Sequence, residues 1–314
     1  MTLLFTFRLI PAIAGLLARR GVDAAALLTE HELPLDALRG EITAPLPRIQ
    51  AFVAGAARAV DDDRFGLTLA ASLPGGAYGT AEFLVRSAAS VEEGLRVLCE
   101  FAALINPSGH FKYEAGRLHY GLASQRNVLG VHLNEMTLAY IVRQMAAVTE
   151  GGLPLADVWF AHLRRTGADE VSRHFGCTAR FGAPDCGFAL SPATLARAPR
   201  TADPLLFGFL HSQAKAQLAH VGPVDIVSQL MRVLEARLPS GEVGAAEVAR
   251  AMATTSRSLQ RHLAGAGTSY REVLAHVRSR RRAELQGGGI GEPEIARRLG
   301  FSDARAMRRS LDES

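Results

Sequence analysis

Residues 247–263, EVARAMATTSRSLQRHL, and residues 294–309, EIARRLGFSDARAMRR, decide how the C-terminal end of this chain folds. Two short helices joined by a tight turn need a small residue where they touch, often a glycine at the turn, and an apolar residue on the second helix that faces back. The first stretch places Ala249, Ala253 and Leu259 at relative spacings of 0, 4 and 10, and the second places Ala296, Gly300 and Ala306 at the same spacings. Apolar residues precede the small one in both (Val248, Ile295) and follow it three positions later (Met252, Leu299). One match to so loose a template carries little weight. Two matches, 47 residues apart, predict a repeated helix-turn-helix. Between them, about residues 269 to 285, the pattern reads as one stiff joining helix.

Charge supports that placement. From Ser240 onward the chain holds 13 Arg against 9 acidic residues, whereas the remainder balances 22 basic against 22 acidic. The whole excess of +4 therefore sits in the last quarter, as expected of a neutral module joined to one that binds a polyanion. Hydrophobic residues at 48% and charged residues at 21% exclude a disordered chain.

Upstream, the apolar start MTLLFTFRLIPAIAGLLARRG reads as a first amphipathic helix rather than a signal peptide, because no basic residue precedes the apolar run and Arg8 interrupts it. A helix is predicted from Leu46 towards Val60, and Ser90 with Glu93 forms a capping box for another. Phe111 and Tyr113, then Leu118, Tyr120 and Leu122, alternate about an Ala115-Gly116 turn and predict a hairpin. Leu138, Ile141, Val142, Met145 and Val148 form the stripe of a long helix. Strands are expected at 158–162, 178–181 and 188–190, with a short helix at 168–175. Two further helices, roughly 204–219 and 223–238, lead to the break at Pro239-Ser240-Gly241. The expected architecture is an α+β mixed sensor domain over 1–203, connecting and dimerisation helices over 204–240, and an all-α domain over 241–314. Leu205, Phe209, Leu230 and Leu234 are the candidates for a homodimer seam.

At this point a family resemblance is plain. SRSLQRHLAGAGTSYREVL (256–274) and EIARRLGFSDARAM (294–307) resemble the two DNA-binding units of AraC-type transcription regulators. FGLTLAASLPGGAYG, HFGCTARFGAPDCGFALSPATL and Ala202-Asp203-Pro204-Leu205 resemble the sensor domain of the subgroup that includes ornithine-utilisation regulators. The resemblance implies double-stranded DNA as partner, a small-molecule effector such as an amino-acid-like metabolite, a homodimer, and RNA polymerase as a further contact. It carries base reading to Ser256, Arg257, Gln260 and Arg261 on the first recognition helix and to Ala304, Arg305 and Arg309 on the second, with Arg308 on phosphate and Leu259, Leu263 and Ala306 turned inward. Arginine suits guanine and glutamine suits adenine in the major groove.

Departures from the family pattern are visible as well. Members usually continue past the second recognition helix with basic and aromatic residues, whereas this sequence gives Leu311-Asp312-Glu313-Ser314; the second unit is expected to be truncated, with part of its core uncovered. Arg280-Arg281-Arg282 occupies ground where apolar residues normally pack, and burying two guanidiniums would be costly. Gly287-Gly288-Gly289 loosens the approach to the second unit.

Other chemistry finds little support. Cys99, Cys177 and Cys186 are too few and too scattered for a disulfide framework, and the spacing of Cys177 and Cys186 fits no common zinc module. No nucleophile sits beside a recognisable base, and neither glycine-rich stretch is followed by the Lys-Ser/Thr of a phosphate loop. No cofactor, metal or enzymatic activity is expected. No window holds the roughly 18 apolar residues of a membrane span, so a cytoplasmic protein is expected. Tyr78, Tyr120, His132 and Arg143 are candidates for an effector pocket, none assigned. The alternative reading is a small-molecule-binding or catalytic α/β protein with a degenerate DNA-binding tail.

Overall fold

A computed structural model describes residues 4–106, 109–122, 129–164, 166–219, 226–252, 254–265, 268–287, 290–301 and 303–312. The chain forms two compact units, Met1–His220 and Val221–Ser314.

In the first unit, alternation in the sequence builds a five-stranded sheet. β1 (Leu4–Phe7) and β2 (Ile42–Pro45) pair antiparallel as a separate ribbon. β3 (Gly109–Glu114), β4 (Arg117–Leu122), β5 (Leu155–Phe160), β6 (Ala179–Phe181) and β7 (Cys186–Leu190) make the main sheet in the order β3-β4-β7-β5-β6, with only β5 and β6 parallel. Leu118, Val158, Phe160 and Phe188 point from it into the core. Asp157, His119 and Trp159 take the other face, as period-two alternation demands. There Trp159 lies under the Arg117 guanidinium, 4.4 Å from its ring, and donates its indole N–H to Asp185 at 2.7 Å.

Helices cover the inner face. The longest, Gly130–Val148, is packed against Phe65–Ser72 and Leu46–Ala59, with Leu138 and Leu69 fully buried. Beneath it lies a buried polar cluster: Glu135 Oε1 is 3.3 Å from His162 Nε2 and 3.4 Å from Arg164 Nε, and Asn134 Nδ2 is 3.3 Å from His162 Nδ1. The ionic contacts only partly offset the cost of burying these groups, because Glu135 Oε2 and Arg164 Nε have no hydrogen-bond partner among the described residues.

Three expectations change. The chain start is not one helix: Leu4–Phe7 is a strand, held by a partner about forty residues away, and the first helix is Ile10–Ala18. Residues 204–240 are no separate connector. Helix Pro204–Leu218 is packed on Gly79–Ser87 in the first unit, and helix Ile226–Arg237 on Tyr270–Gly287 in the second. Leu230 and Leu234 are fully buried inside the second unit, so they belong to its core and not to a dimer seam.

The crossing of Gly130–Val148 and Phe65–Ser72 gives opposite predictions for two helical glycines. A β-carbon on Gly66 would stand 2.1 Å from the carbonyl oxygen of His132, whereas one on Gly208 meets nothing within 4 Å. Helix propensity alone favours alanine at both. Gly208→Ala is expected to stabilise by about 0.5–1 kcal/mol and Gly66→Ala to destabilise by about 1–3 kcal/mol through overpacking, read from urea midpoints. Equal shifts of one sign would contradict the close approach.

Candidate nucleic-acid interface and ligand cavity

The second unit contains two pairs of short helices joined by a long one. The first pair is Ala245–Ala251 and Ser256–Gly265. Val248, Ala249, Leu259 and Leu263 are buried between them. Thr255 caps the second helix, its hydroxyl accepting from Ser258 N at 3.2 Å. With Leu259 and Leu263 turned inward at i, i+4, Arg257, Gln260 and Arg261 are exposed on the opposite face, and Ser256 is half-buried. Ala253 lies outside the described residues.

The second pair is Glu292–Arg298 and Ala304–Asp312. Gly300 turns the chain between them at φ +72°, a conformation that glycine adopts freely. Asp303 then caps the second helix by accepting from Ala306 N at 2.7 Å. Here one expected position shifts. Met307 is fully buried and Ala306 only partly. The cap stands seven residues after Ala296, against six between Ala249 and Thr255, so the second turn is one residue longer and brings the next side chain inward. Arg305, Arg308 and Arg309 are exposed, and Ala304 is half-buried. Arg308 is 3.2 Å from Glu292; Arg257, Arg261, Arg305 and Arg309 have no ion-pair partner among the described residues.

The core expected to be uncovered is closed: Ile295, Ala296, Leu299 and Met307 are all fully buried. Arg278 covers it, its guanidinium 4.1 Å above the Phe301 ring and its Nε donating to the Leu299 carbonyl at 3.2 Å. Burial holds the Arg278 pKa below its usual value. The joining helix, Tyr270–Gly287, starts at a capping box in which Ser269 N donates to Glu272 at 2.8 Å and Glu272 N to the Ser269 hydroxyl at 3.3 Å. Its arginines are accommodated individually: Arg280 pairs with Glu235, Arg282 lies 3.5 Å from Glu292, and Arg281 is exposed.

The first unit has a cavity that opens to solvent, between β1, the hairpin and helix Gly130–Val148. Phe5, Phe7, Phe111, Leu133 and Met136 give it apolar walls. Glu82, 6% exposed, organises one end. Its carboxylate accepts from Gly76 N at 2.6 Å and Tyr78 N at 3.3 Å, sits 2.7 Å from the Tyr140 hydroxyl, and lies 3.6 Å from Arg86. Burial pushes the Tyr78 phenol up to about 12, keeping it a donor at neutral pH. Burial and the Glu82 carboxylate raise Tyr140 further.

Of the four pocket candidates from the sequence, Tyr78 and Tyr120 line this cavity. Arg143 instead donates to the carbonyls of Ala71 and Leu73, and His132 packs edge-on against Phe65. Sequence reasoning missed Glu82, Arg86 and Gln144. Gln144 had a visible signal, a carboxamide between Ile141 and Met145 on an otherwise apolar stripe. Cys99 and Cys186 are free thiols raised by burial to about 11 and about 12, and Cys177 is raised by burial too. Among the described residues no group of three or more His, Cys, Asp or Glu could hold a metal ion, and no helix is long and apolar enough to cross a membrane.

A mixed α/β unit with a cavity, followed by a helical unit with two arginine-faced helices, is an organisation that suits a transcription regulator. Residues 21–199 match the arabinose-binding domain of AraC transcription regulators, and the chain belongs to that AraC-type family. The ornithine utilization regulator of Pseudomonas aeruginosa is 26% identical over 98% of this chain and 94% of its own. The HTH-type transcriptional regulator VirS of Mycobacterium tuberculosis is 27% identical over 80% and 76%. A crystal structure of the transcriptional regulator CdpR from Pseudomonas aeruginosa, 21% identical, covers 96% of this chain and 93% of its own with a TM-score of 0.46.

The Arg280–Glu235 pair yields a stability test. Glu235→Leu leaves a part-buried guanidinium without its carboxylate and is expected to cost about 1–2 kcal/mol. Adding Arg280→Met should recover most of the loss, since an apolar pair replaces an ionic one at little cost. Chemical denaturation of both variants measures this; no recovery would show that the pair does not carry the packing.

Proposed function

We propose that this protein is a sequence-specific, double-stranded DNA-binding transcription regulator, non-enzymatic and cytoplasmic, controlled by a small molecule in the first unit's cavity. The two helix pairs act as helix-turn-helix units. The helices at Ser256–Gly265 and Ala304–Asp312 enter successive major grooves, about 34 Å apart along one face of the duplex. The observation that carries this reading is the row of exposed arginines, Arg257, Arg261, Arg305 and Arg309, which have no ion-pair partner among the described residues, on helices whose other faces are packed. Arg257, Gln260 and Arg261, with Ser256 at the helix start, read bases on the first helix. Arg305 and Arg309 do so on the second beside Ala304, which offers a methyl contact. Arg308 takes phosphate in exchange for Glu292. RNA polymerase is the further partner of such a regulator at its promoter.

Homodimerisation uses the Pro204–Leu218 helix, where Leu205 is 88% and Phe209 61% exposed. Exposed apolar pairs of this size on one helix face mark association surfaces.

Two experiments test the reading. Arg261→Ala is expected to weaken binding to the protein's own upstream DNA by about 1–3 kcal/mol while relaxing one base preference; equal loss on random duplex would reduce Arg261 to a phosphate contact. Sedimentation equilibrium should return twice the chain mass and Phe209→Asp the single mass. A concentration-independent monomer would refute the dimer.

A further inference from the structure

The cavity's chemistry narrows its ligand. Its polar lining groups differ in how much bonding capacity remains. The Tyr120 hydroxyl is engaged by Thr137, whose own hydroxyl donates to the Leu133 carbonyl at 2.8 Å. Arg8 is 3.0 Å from Glu41, and Asn106 has a partner within the protein. Glu82 is filled by two backbone N–H groups and the Tyr140 hydroxyl. Two groups remain. Gln144 is only 8% exposed, yet among the described residues its carboxamide meets no hydrogen-bond partner. Among the described residues the Arg86 guanidinium has the 3.6 Å contact to Glu82 and otherwise the Phe83 ring beneath it, 5.9 Å away. Both stand beside Gly75, Arg86 Nη1 at 3.1 Å and Gln144 Oε1 at 3.3 Å from the point a β-carbon there would occupy. They therefore share one end of the cavity.

We propose that the cavity binds an apolar carboxylic acid, with its alkyl or aryl body against Phe5, Phe7, Phe111 and Met136 and its carboxylate against Arg86 and Gln144. The inference rests on reading this cavity as the effector site. The Arg86 guanidinium donates, and the Gln144 carboxamide does so once its amide turns to present Nε2 in place of Oε1; a carboxylate gains most from such donors because charge-assisted bonds exceed neutral ones. A free amino acid fits less well: among the described residues its ammonium would find only the Gln144 carboxamide oxygen as an uncommitted acceptor, because Glu82 already takes three hydrogen bonds. A sugar also fits poorly, since its hydroxyls radiate in all directions and most of this wall would leave them unpaired.

The test uses the full chain, with thermal melting and calorimetric titration against octanoate and 4-phenylbutyrate, the matched alcohols 1-octanol and 4-phenyl-1-butanol, and L-ornithine and L-arabinose. Either acid is expected to raise the melting temperature and to bind at least tenfold more tightly than its alcohol. Arg86→Gln should close most of that gap. Gln144→Leu, which keeps the volume and removes the carboxamide, should weaken the acid severalfold and leave the alcohol unchanged, so the idea stays testable if the Arg86 variant does not fold. Stabilisation by ornithine or arabinose with none by either acid overturns the proposal. So do equal affinities for acid and alcohol. A gel shift on the upstream DNA separates this from the regulator reading: failure of specific DNA binding sinks that reading and leaves the acid preference standing, while specific DNA binding by a chain that ignores both acids sinks only the acid.

Discussion

One buried carboxylate sets the geometry on which the first unit's cavity depends. Glu82 sits in the first turn of helix Gly79–Ser87, and its two oxygens reach back to Gly76 N and Tyr78 N, fixing the turn that follows Pro74. Acidic groups are favoured at a helix N-terminus for the same reason that these amide hydrogens need an acceptor. The same carboxylate meets the Tyr140 hydroxyl, 2.7 Å away, and so ties that turn to the middle of helix Gly130–Val148. Tyr140 lies beside Pro74 O as well, at 2.9 Å, so its one proton serves two acceptors. Tyr78 then packs edge-on against Tyr140 with ring centroids 5.1 Å apart. The cavity's polar end is thus held by the protein's own hydrogen bonds, and Arg86 and Gln144 are left with capacity to spare.

Helix Gly130–Val148 carries both constraints of this unit. One face crosses Phe65–Ser72 at a distance only Gly66 allows; another presents Leu133, Met136, Tyr140 and Gln144 to the cavity. Close-packed contacts of the first kind resist small displacements. A ligand against the second face therefore meets a wall already fixed from behind, which favours a largely pre-formed site over one assembled on binding.

How much of this was legible in the sequence follows from how local each signal is. The hairpin about Ala115-Gly116 and the stripe from Leu138 to Val148 are written in adjacent residues, and both elements form where expected. The Leu4–Phe7 strand was hidden, because its partner starts at Ile42 and four apolar-rich residues suit a helix start equally well. Leu230 and Leu234 were legible as an apolar face, but whether a face meets its own chain or another is decided by tertiary packing. The exposure of Arg257 and Arg261 on helix Ser256–Gly265 was legible by subtraction, once Leu259 and Leu263 were assigned inward. Met307 was not, since a turn lengthened by one residue leaves the repeat of the preceding helices intact at Ile295, Ala296 and Leu299. The cavity was least visible of all: Phe5, Glu82, Phe111 and Gln144 lie far apart in sequence, and no period relates them.

The arginines of the joining helix show how a charged residue can stand in for an apolar one. Arg278 buries its stem and stacks its guanidinium on Phe301, where weak hydration of that group makes desolvation tolerable. Arg280 and Arg282 each meet a glutamate supplied by another helix of the unit, Glu235 and Glu292. Glu292 is shared, however, because Arg308 on helix Ala304–Asp312 lies 3.2 Å from its other oxygen. One carboxylate therefore links the packing of the joining helix to an exposed cation on the last helix of the second pair.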